Sequence, residues 1–290
     1  MSVPGTLFIV ATPIGNLADL TERARATLRE VELIAAEDTR HSGALLAHFG
    51  ISTPLVALHE HNEAARVDEL VARMAAGAQI ALISDAGTPL ISDPGYRLVA
   101  AAGAAGIAVR PIPGACAAIA ALSVAGLATD RFAFEGFLPQ RRAARRARLK
   151  ALAAESRTLV FYEAPHRVVE TLEDLAGELG GGRPAVLARE LTKLHETVYR
   201  GTLAELLVRA ATDASMARGE GVLVVAGAPA VDDAAAADAA QQDKLLRALL
   251  PALPLSAAVD LVVELTGLRR NRVYERALQL RGEQGGAEDA

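Results

Sequence analysis

Residues 82–95 bring together several side chains that can bind a polar ligand, in the order Leu-Ile-Ser-Asp-Ala-Gly-Thr-Pro-Leu-Ile-Ser-Asp-Pro-Gly. An apolar run at 79–83 leads into them and is typical of an interior strand of a parallel sheet. Because ligands bind outside the carboxyl ends of such strands, the Asp, Ser and Thr side chains indicate a small-molecule site. An ordinary turn-rich connection between a strand and a helix would have a similar composition, so this segment alone leaves both interpretations open.

A second set of candidate residues lies further along the chain. Pro165 fixes a turn that could direct Glu163 and His166 into one cleft, where a carboxylate and an imidazole can move protons. The start of a helix near His166 would explain the same residues equally well. Lys193 ends a crowded group of charges, Arg-Glu-Leu-Thr-Lys at 189–193, for which a surface ion pair is the competing explanation.

The sequence argues against two common kinds of nucleotide site. A Gly-Lys-Ser/Thr phosphate loop does not occur, because the lysines are Lys150, Lys193 and Lys244. The first predicted strand leads into Thr-Pro-Ile-Gly-Asn at 12–16, where a dinucleotide-binding domain would have Gly-x-Gly-x-x-Gly. Neither a P-loop domain nor an ordinary dinucleotide-binding domain is therefore expected.

We expect neither a metal site nor a membrane span. The one cysteine, Cys116, cannot form a Cys-rich zinc site or an intrachain disulfide, and it indicates a reducing compartment. His59 and His61 flank Glu60, but hydrogen bonding within a loop is favoured over metal binding. Residues 111–129 carry no charge, yet proline and glycine interrupt them, which favours a buried helix over a span. The expected location is cytoplasmic.

Short apolar runs alternate with polar loops and helix patterns along the first 229 residues. Such alternation is typical of an α/β fold whose parallel strands are joined by right-handed crossovers. The first set of predicted strands is 6–11, 33–36, 54–58, 79–83 and 108–112. A second set follows at 131–135, 158–162, 185–188, 195–201 and 221–226.

The pattern predicts two α/β domains and a small helical module. The domains span 1–112 and 113–229, and an Ala- and Asp-rich linker at 230–243 follows them. Three short helix patterns within 244–281 resemble a helix-turn-helix, although a helical tail that packs on the core has the same pattern. Ser256 is a plausible N-cap and Gly267 a plausible C-cap of the middle helix. Residues 282–290 are expected to form a disordered tail.

The charge distribution points to a polyanionic partner more strongly than the net charge does. The formal net charge is −5, which argues mildly against nucleic acid. Residues 140–150, however, contain six cations and no acid, and 269–281 contain five Arg against Glu275. Like charges on so short a helix repel one another, so a counter-ligand such as RNA phosphate is expected, with a solvated helix face as the alternative.

Six loop motifs taken together resemble one known family. They are Ala11–Leu20, Glu37–Arg40, His59–Glu63, Ser84–Pro89, Tyr162–Arg167 and Arg189–Lys193. In this order they are similar to the ribosomal RNA small subunit methyltransferase I family, the (cytidine-2′-O)-methyltransferases of the tetrapyrrole methylase superfamily. The resemblance covers residues 5 to 280.

This resemblance implies a fold, a cofactor and partners. The fold would consist of two α/β domains of tetrapyrrole methylase type, with a parallel N-terminal sheet, a mixed C-terminal sheet and a helical C-terminal module that helps to hold RNA. S-adenosylmethionine would bind in the cleft between the two α/β domains. The protein would be a homodimer. The substrate would be small-subunit rRNA or the 30S particle, methylated on a cytidine ribose 2′-oxygen in the decoding region.

The resemblance also assigns cofactor-binding residues, in both domains. At the place of the superfamily's Gly-Asp-Pro turn this chain has Thr88, with Asp85 three positions earlier, and either could contact the cofactor. The expected cofactor-binding residues are Thr12, Pro13, Ile14, Gly15, Asp85, Gly87, Thr88, Pro89, Ile91, Ser92, Cys116, Ala117, Tyr162, Ala188 and Gly227.

For catalysis, three lysines make the Lys-Asp-Lys-Glu tetrad of many 2′-O-methyltransferases improbable. We therefore expect Glu163 or His166 to act as the base and Lys193 or Arg40 to polarise the site. The expected RNA-contacting residues are Arg141, Arg142, Arg145, Arg146, Arg269, Arg270 and Arg272. Alternatives are a tetrapyrrole or diphthine-type methyltransferase of the same fold, and a non-catalytic RNA-binding assembly factor.

Overall fold

The computed structural model describes residues 4–59, 62–229 and 233–285. Contacts divide the chain into two compact units, Met1–Ala228 and Pro229–Ala290. Both predicted α/β domains belong to the first unit. Their predicted division follows Ile112, where the last strand of the first sheet ends, and it stays a prediction.

The first sheet contains five parallel strands in the order β3-β2-β4-β1-β5. They are β1 (Thr6–Val10), β2 (Leu33–Ala36), β3 (Leu55–Ala57), β4 (Ile80–Ile83) and β5 (Ala108–Ile112). The connecting helices are α1 (Glu22–Glu30), α2 (Thr39–His48), α3 (Glu63–Ala75) and α4 (Tyr96–Ala104). The central strands are buried on both faces, which is why they appear in the sequence as unbroken apolar runs. Because Ala36 pairs with Ile83, the loops that follow β2 and β4 leave the sheet at one edge.

The second sheet is mixed and has the order β6-β7-β10-β8-β9. Its strands are β6 (Phe132–Phe137), β7 (Thr158–Glu163), β8 (Pro184–Arg189), β9 (Thr197–Thr202) and β10 (Gly221–Val225). Strand β10 runs antiparallel to β7 and β8, so Gly221 lies opposite both Glu163 and Arg189. The amino end of β10 therefore meets the carboxyl ends of its two neighbours.

Helices cover both faces of the second sheet. They are α5 (Ala117–Ala125), α6 (Arg142–Ala151), α7 (Val168–Leu179) and α8 (Leu203–Thr212). Helix α5 packs its alanines on one face against Val160, Val186 and Val224, while α6, α7 and α8 cover the other face. The uncharged run at 111–129 is thus the end of β5, a loop and the buried helix α5. Among the described residues, no helix is both long enough and apolar enough to cross a bilayer.

The second unit consists of three helices around a small apolar core. They are α9 (Asp233–Leu249), α10 (Leu255–Thr266) and α11 (Arg270–Gly285). The core side chains are Leu246, Val259, Val262, Val273, Ala277 and Leu280. Gly267 ends α10 in the left-handed conformation, at φ 70°, as its sequence position predicted.

Three boundaries in this unit differ from the prediction. Helix α9 begins at Asp233, inside the predicted linker, because alanine has the highest helix propensity of all residues. Helix α10 is preceded by Pro254, not by Ser256, which lies inside the helix. Helix α11 continues to Gly285, into the predicted disordered tail. The rest of that prediction, 286–290, and the linker residues 230–232 lie outside the described residues.

Candidate active site

A cavity of about 460 Å³ opens where loops of the two sheets meet. The first sheet supplies the ends of the loops after β1, β2 and β4, and the second sheet supplies the ends of β7, β8 and β10. The lining residues are Ile14, Glu37, Asp85, Ala86, Gly87, Thr88, Ile91, Ser92, Asp93, Ala117, Phe137, Tyr162, Glu163, Ala164, Pro165, Ala188, Leu191, Glu220, Gly221 and Val222. Its volume lies in the range of small-molecule sites, which typically combine apolar walls with a few polar groups.

Two loops that form the first wall are fastened to each other. The N–H of Thr12 donates to the carbonyl oxygen of Gly87 at 2.8 Å, and the N–H of Gly87 donates back at 3.1 Å. The hydroxyl of Thr12 also donates to the carbonyl of Ser84 at 3.2 Å. Gly87 has φ +83°, and a Cβ there would lie 3.2 Å from Cγ2 of Ile14. The wall thus needs both the positive φ and the missing side chain of this glycine.

Non-glycine residues with positive φ are concentrated beside the cavity. Leu90 and Ser92 have φ of 73° and 67° in the loop after β4, and Glu190 and Thr192 have φ of 52° and 67° in the loop after β8. Such conformations cost about 1–3 kcal/mol each and persist where the surroundings hold them. These loops are therefore shaped by something other than local preference, as is usual at functional sites.

The first cavity has an acidic lining. Five of its described lining residues are Asp or Glu, and none of them is Lys, Arg or His. The pKa of Asp93 is raised to about 6, chiefly by burial and in part by the negative charge of Asp85, while the Ser84 hydroxyl opposes the shift. Burial also raises the pKa of Tyr162 above its usual range, and the Tyr162 oxygen accepts from the N–H of Ala118 at 3.3 Å. The cavity is thus suited to a cationic ligand.

A second cavity, of about 490 Å³, adjoins the first. Its lining residues are Pro13, Ile14, Gly15, Leu17, His41, Ala44, Leu45, His48, Asp85, Ala86, Lys193 and Glu220. Four of these residues also line the first cavity: Ile14, Asp85, Ala86 and Glu220. We call these four residues the shared wall. The spacing of His41, Ala44, Leu45 and His48 is that of one helix face, so α2 forms one side of the second cavity.

Lys193 also lines the second cavity. Its ammonium lies 3.0 Å from Oε1 of Glu190 and 3.0 Å from Oε2 of Glu220. The side chain lies over Gly15, where a Cβ would come within 2.4 Å of Cγ of Lys193. Lys193 is thus at the site, as predicted, but as a cation held by two carboxylates.

The two predicted bases lie in different surroundings, and their catalytic role stays a prediction. Glu163 is 2% exposed, and its Oε2 accepts from the hydroxyl of Thr171 at 2.5 Å. Its Oε1 accepts from the N–H of Ala164 at 2.9 Å and lies 3.3 Å from Nε of Arg167. Both oxygens are therefore engaged in holding the turn after β7. His166 is exposed and lines neither cavity, because the short helix that starts at Pro165 turns it outward.

Arg40 is also away from the site. Its side chain is 91% exposed and is paired with Asp38 at 3.1 Å, which holds the pKa of Asp38 at about 2 through the hydrogen bonds from Arg40. The backbone N–H of Asp38, in contrast, donates to Oδ1 of Asp85 at 3.1 Å. The Glu37–Arg40 motif thus contributes to the site through its backbone and through Glu37.

Most of the predicted cofactor-binding residues lie at the first cavity. Its lining includes Ile14, Asp85, Gly87, Thr88, Ile91, Ser92, Ala117, Tyr162 and Ala188, while Pro13 and Gly15 line the second cavity. Thr12 and Pro89 are buried behind the wall, and Cys116 is the residue before α5. Asp85 and Thr88 were the two alternatives for a cofactor contact at the turn after β4. Both line the first cavity, but only Asp85 belongs to the shared wall. The Thr88 hydroxyl donates to the carbonyl of Ala115 at 2.9 Å.

Gly227 is the exception among these residues. It follows the carboxyl end of β10, whereas Gly221 and Val222 at the amino end of β10 line the cavity. Because β10 runs antiparallel to β7, its amino end lies beside the carboxyl end of β7 at the cavity, and Gly227 follows the opposite end. A Cβ at Gly227 would instead collide with the carbonyl of Ser156, so this glycine serves a close backbone contact.

Sequence reasoning missed four charged or strand-end residues of the first cavity: Glu37, Asp93, Glu220 and Gly221. Asp93 was within the segment singled out, and Glu37 begins a quoted motif, so their acidity and position after a strand were available signals. Glu220 precedes an antiparallel strand, and no local pattern revealed that direction.

The arginines of α6 are neutralised within the protein. Their partners on α7 are Glu170, Glu173, Asp174 and Glu178. Arg142 contacts Asp174 at 3.0 Å, Arg145 contacts the same carboxylate at 2.7 Å, and Arg146 contacts Glu178 at 2.7 Å. Arg145 is buried against Asp174, which contradicts its expected contact with RNA, whereas Arg142 and Arg146 are exposed and their expected contact with RNA stays a prediction. Arg141 is exposed at the start of α6.

The C-terminal arginines are divided in the same way. Arg269, Arg270 and Arg272 are all exposed, and Arg270 pairs with Asp260 at 2.8 Å. Clusters of three or more potential metal ligands do not occur in the described part of the chain. Of the pair considered for metal binding, His61 lies outside the described residues, as does Glu60.

Comparison with known proteins decides the family. A family model described as Tetrapyrrole (Corrin/Porphyrin) Methylases matches residues 6–207, and one described as RsmI C-terminal HTH domain matches residues 236–281. A Pseudomonas aeruginosa protein named Ribosomal RNA small subunit methyltransferase I is 56% identical over 280 residues, which are 96% of this chain and 98% of that protein. The chain belongs to the ribosomal RNA small subunit methyltransferase I family. The predicted family is confirmed.

Further relatives agree with this assignment. An Escherichia coli O157:H7 protein of the same name is 52% identical and covers 96% of each chain. Among solved structures, diphthine synthase superposes with a TM-score of 0.56 at 17% identity, covering 77% of this chain and 90% of that one. Thermus thermophilus uroporphyrin-III C-methyltransferase complexed with S-adenosyl homocysteine gives 0.53 at 19% identity, covering 77% and 97%. These likenesses confirm the predicted fold class, and S-adenosylmethionine is the methyl donor of this methyltransferase family.

Proposed function

We propose that this chain transfers the methyl group of S-adenosylmethionine to the ribose 2′-oxygen of a cytidine in the decoding region of small-subunit rRNA. One observation carries the proposal: two cavities of ligand size adjoin and have the four residues of the shared wall in common. Methyl transfer needs two ligands whose reacting atoms come within about 3 Å of each other, in line with the leaving group. Adjoining cavities provide that arrangement.

The residues of the first cavity fit the cofactor. Carboxylates that include Asp85 and Asp93 suit a ligand that carries both a sulfonium and an ammonium cation. The apolar side chains of Ile14, Leu191 and Val222 suit its adenosyl group and exclude water. When bound, the cofactor supplies a methyl group already activated by the positive sulfur. The chain's own task is to orient the acceptor and to remove its proton.

The second cavity is the proposed place of the target nucleoside. A nucleoside that is turned out of its stack needs a pocket of its own. Helix α2 offers such a pocket with two apolar side chains between the imidazoles of His41 and His48. A ribose seated there would place its 2′-hydroxyl at the shared wall.

The RNA-contacting surface is proposed from the exposed arginines. Arg141 in the first unit and Arg269 and Arg272 in the second are the first candidates for phosphate contact, because the exposed Arg142, Arg146 and Arg270 are each paired with a carboxylate. The helical unit that carries the last two is the one matched by the helix-turn-helix model. A homodimer and a cytoplasmic location, implied by the resemblance, stay predictions.

The proposal is tested by tritiated methyl transfer to 30S particles and to naked rRNA, followed by nuclease mapping of the label to a nucleotide and to its ribose. Label on a base, on a protein or on another nucleotide would contradict it. Failure to bind S-adenosylmethionine in calorimetry would instead favour an assembly factor.

A pair of variants on α2 separates the two cavities. Ala44→Trp fills the second cavity, whereas Ala47→Trp places the same side chain on an exposed position outside it. We expect A44W to keep its affinity for the cofactor and to lose at least tenfold in kcat/KM for RNA, with A47W unchanged in both. Equal RNA kinetics for the two variants would place the nucleoside elsewhere.

A further inference from the structure

The ionisable side chains around the two cavities differ in which cavity they line. Asp85 and Glu220 line both cavities. The others line one cavity only: Glu37, Asp93, Tyr162 and Glu163 the first, and His41, His48 and Lys193 the second. In the proposed reaction the methyl group lies in the first cavity and the acceptor ribose in the second. A group that takes the proton has to reach the hydroxyl while the methyl group is transferred, so the two acids of the shared wall are the candidates.

Glu220 is the poorer candidate, because a cation already holds it. Its Oε2 lies 3.0 Å from the ammonium of Lys193, and its side chain is 75% exposed. A neighbouring cation favours the charged form of a carboxylate over the protonated form. Protonation of Glu220 would therefore weaken its contact with Lys193 at the moment when the acceptor hydroxyl has to be held in place.

Asp85 is anchored through one carboxylate oxygen. Its Oδ1 accepts from the backbone N–H of Asp38 at 3.1 Å, a bond that joins the loop after β4 to the loop after β2. The described residues provide neither a cation for this half-buried carboxylate nor a donor for its Oδ2. One oxygen thus fixes the side chain, and the other is left to accept from a ligand at the shared wall.

The backbone around Asp85 is also fixed. Just before it, the carbonyl of Ser84 accepts from the hydroxyl of Thr12 at 3.2 Å. Two residues after it, the N–H of Gly87 donates to the carbonyl of Thr12 at 3.1 Å. Asp85 therefore lies between two bonds to the loop after β1. Such support from surrounding residues is what a group acting on reacting atoms requires.

We propose that Asp85 is the proton acceptor for the target hydroxyl, a role that rests on the proposed methyl transfer. As the hydroxyl oxygen forms its bond to the methyl carbon, the O–H proton passes to Oδ2 of Asp85. The electron pair of the breaking carbon–sulfur bond stays on sulfur, which becomes a neutral thioether. The Asp85 carboxyl then releases its proton to solvent. Positive charge moves from sulfur toward the hydroxyl during the displacement, and a carboxylate that borders both cavities stabilises it throughout.

The first test measures binding and needs no activity. 30S particles are reconstituted with rRNA that carries either cytidine or 2′-deoxycytidine at the position where the label maps. With S-adenosylhomocysteine bound, the wild-type protein should bind the particle with the 2′-hydroxyl about tenfold more tightly, because this hydroxyl donates to a charged acceptor. Asp85→Ala should bind both particles equally. A preference that persists in D85A would overturn the proposal.

The second test uses single-turnover kinetics with 30S particles and saturating S-adenosylmethionine. Asp85→Asn keeps an oxygen that can accept from the N–H of Asp38 but cannot take up the proton. We expect D85N to lose about 10²- to 10⁴-fold in rate, as is typical for removal of a general base, and to keep its affinity for S-adenosylhomocysteine. Asp68→Asn, at an exposed carboxylate on α3, is the matched control.

Chemical rescue separates a proton acceptor from a residue that only maintains the shape of the site. Formate is a carboxylate small enough for the space left in D85A, and it should raise the single-turnover rate of this variant to a plateau. The same concentrations should leave the wild-type and D68N rates unchanged. A D85A rate that formate does not raise would overturn the role of Asp85.

Outcomes for the two proposals are distinguishable. A D85N enzyme that keeps the wild-type single-turnover rate, or one that loses less than Glu220→Gln, overturns the role of Asp85 while the methylated ribose remains. A wild-type enzyme whose label is not on a ribose 2′-oxygen overturns the proposed function itself, whatever the rate of D85N.

Discussion

Arg145 and Asp174 form a buried ion pair, with 2.7 Å between Nε and Oδ2 and side chains only 1% and 2% exposed. The pair joins α6 to α7 and explains why a helix with so many cations is stable without an external anion. Arg145 contacts Glu170 as well, at 3.3 Å, so the guanidinium is satisfied from two sides.

Removal of this arginine is expected to destabilise the protein strongly. Arg145→Met leaves the Asp174 carboxylate buried with Arg142 as its remaining partner, and breaking a buried pair typically costs about 3–5 kcal/mol. Arg146→Met breaks the pair with Glu178 on a side chain that is 57% exposed, where about 0–1 kcal/mol is expected. Urea unfolding monitored by circular dichroism measures both. Equal losses for the two variants would contradict this account of α6.

Arg141 should affect RNA binding where its neighbours do not. Arg141→Ala removes a phosphate contact and is expected to lower the slope of log K against log salt by about 1. Arg146→Ala should leave the slope unchanged, because its charge is already compensated by Glu178. Filter binding to a decoding-region RNA at several salt concentrations gives both slopes. An equal decrease of the slope in R146A would show that the paired arginines of α6 also contact RNA.

Gly15→Ala is expected to impair the second cavity through Lys193. The new Cβ would lie 2.4 Å from Cγ of Lys193, so the lysine has to leave Glu190 and Glu220. We expect a fall of about tenfold or more in kcat/KM for RNA, and little added loss when G15A is combined with Lys193→Ala. Gly43→Ala on α2 is the control, since its Cβ would meet Leu55 at 3.7 Å, an ordinary contact. Full additivity in the double variant would argue against this steric route.

The raised pKa of Asp93 also predicts how stability depends on pH. An acid whose folded-state pKa is about 6, against about 3.9 unfolded, stabilises the fold fully below pH 4 and loses this contribution as pH rises through 6. Asp93→Asn should therefore stabilise the protein at pH 7.5, by about 1 kcal/mol after allowance for solvent screening, and have no such effect at pH 4. Thermal unfolding at both pH values tests this. Destabilisation at pH 7.5 would contradict the pKa.

Much of the fold could be predicted because its strands are short, apolar and bounded by turn residues. Strand β3 was predicted at 54–58 and spans Leu55–Ala57 in the structure. Strand β9 was predicted at 195–201 and spans Thr197–Thr202. Strand direction was not predictable in the same way. The strands that pair with β10 are far away in sequence, so its antiparallel direction is set only by tertiary packing. The same direction places Gly227 at the end of β10 that does not line the cavity.

The sequence predicted the location of the site better than it predicted the roles of individual residues. Loop composition after β4 pointed to the cavity, and seven residues of this loop do line it: Asp85, Ala86, Gly87, Thr88, Ile91, Ser92 and Asp93. The role given to Glu163 stays a prediction, and its partners, Thr171 and Arg167, lie on the following helical turns and could not be recognised as partners from residue type. The burial of Arg145 was missed for a related reason: a charge run shows cations, but not the acids of a helix that packs beside it.

The acidic lining of the first cavity gives it a preference between substrate and product. Asp85 and Asp93 attract a sulfonium, and this attraction vanishes once the sulfur is a neutral thioether. The lining therefore binds the charged methyl donor more tightly than its neutral demethylated product. We expect weaker product inhibition than in a neutral pocket of the same shape. Replacing one of these carboxylates by its amide should bring the two affinities closer together.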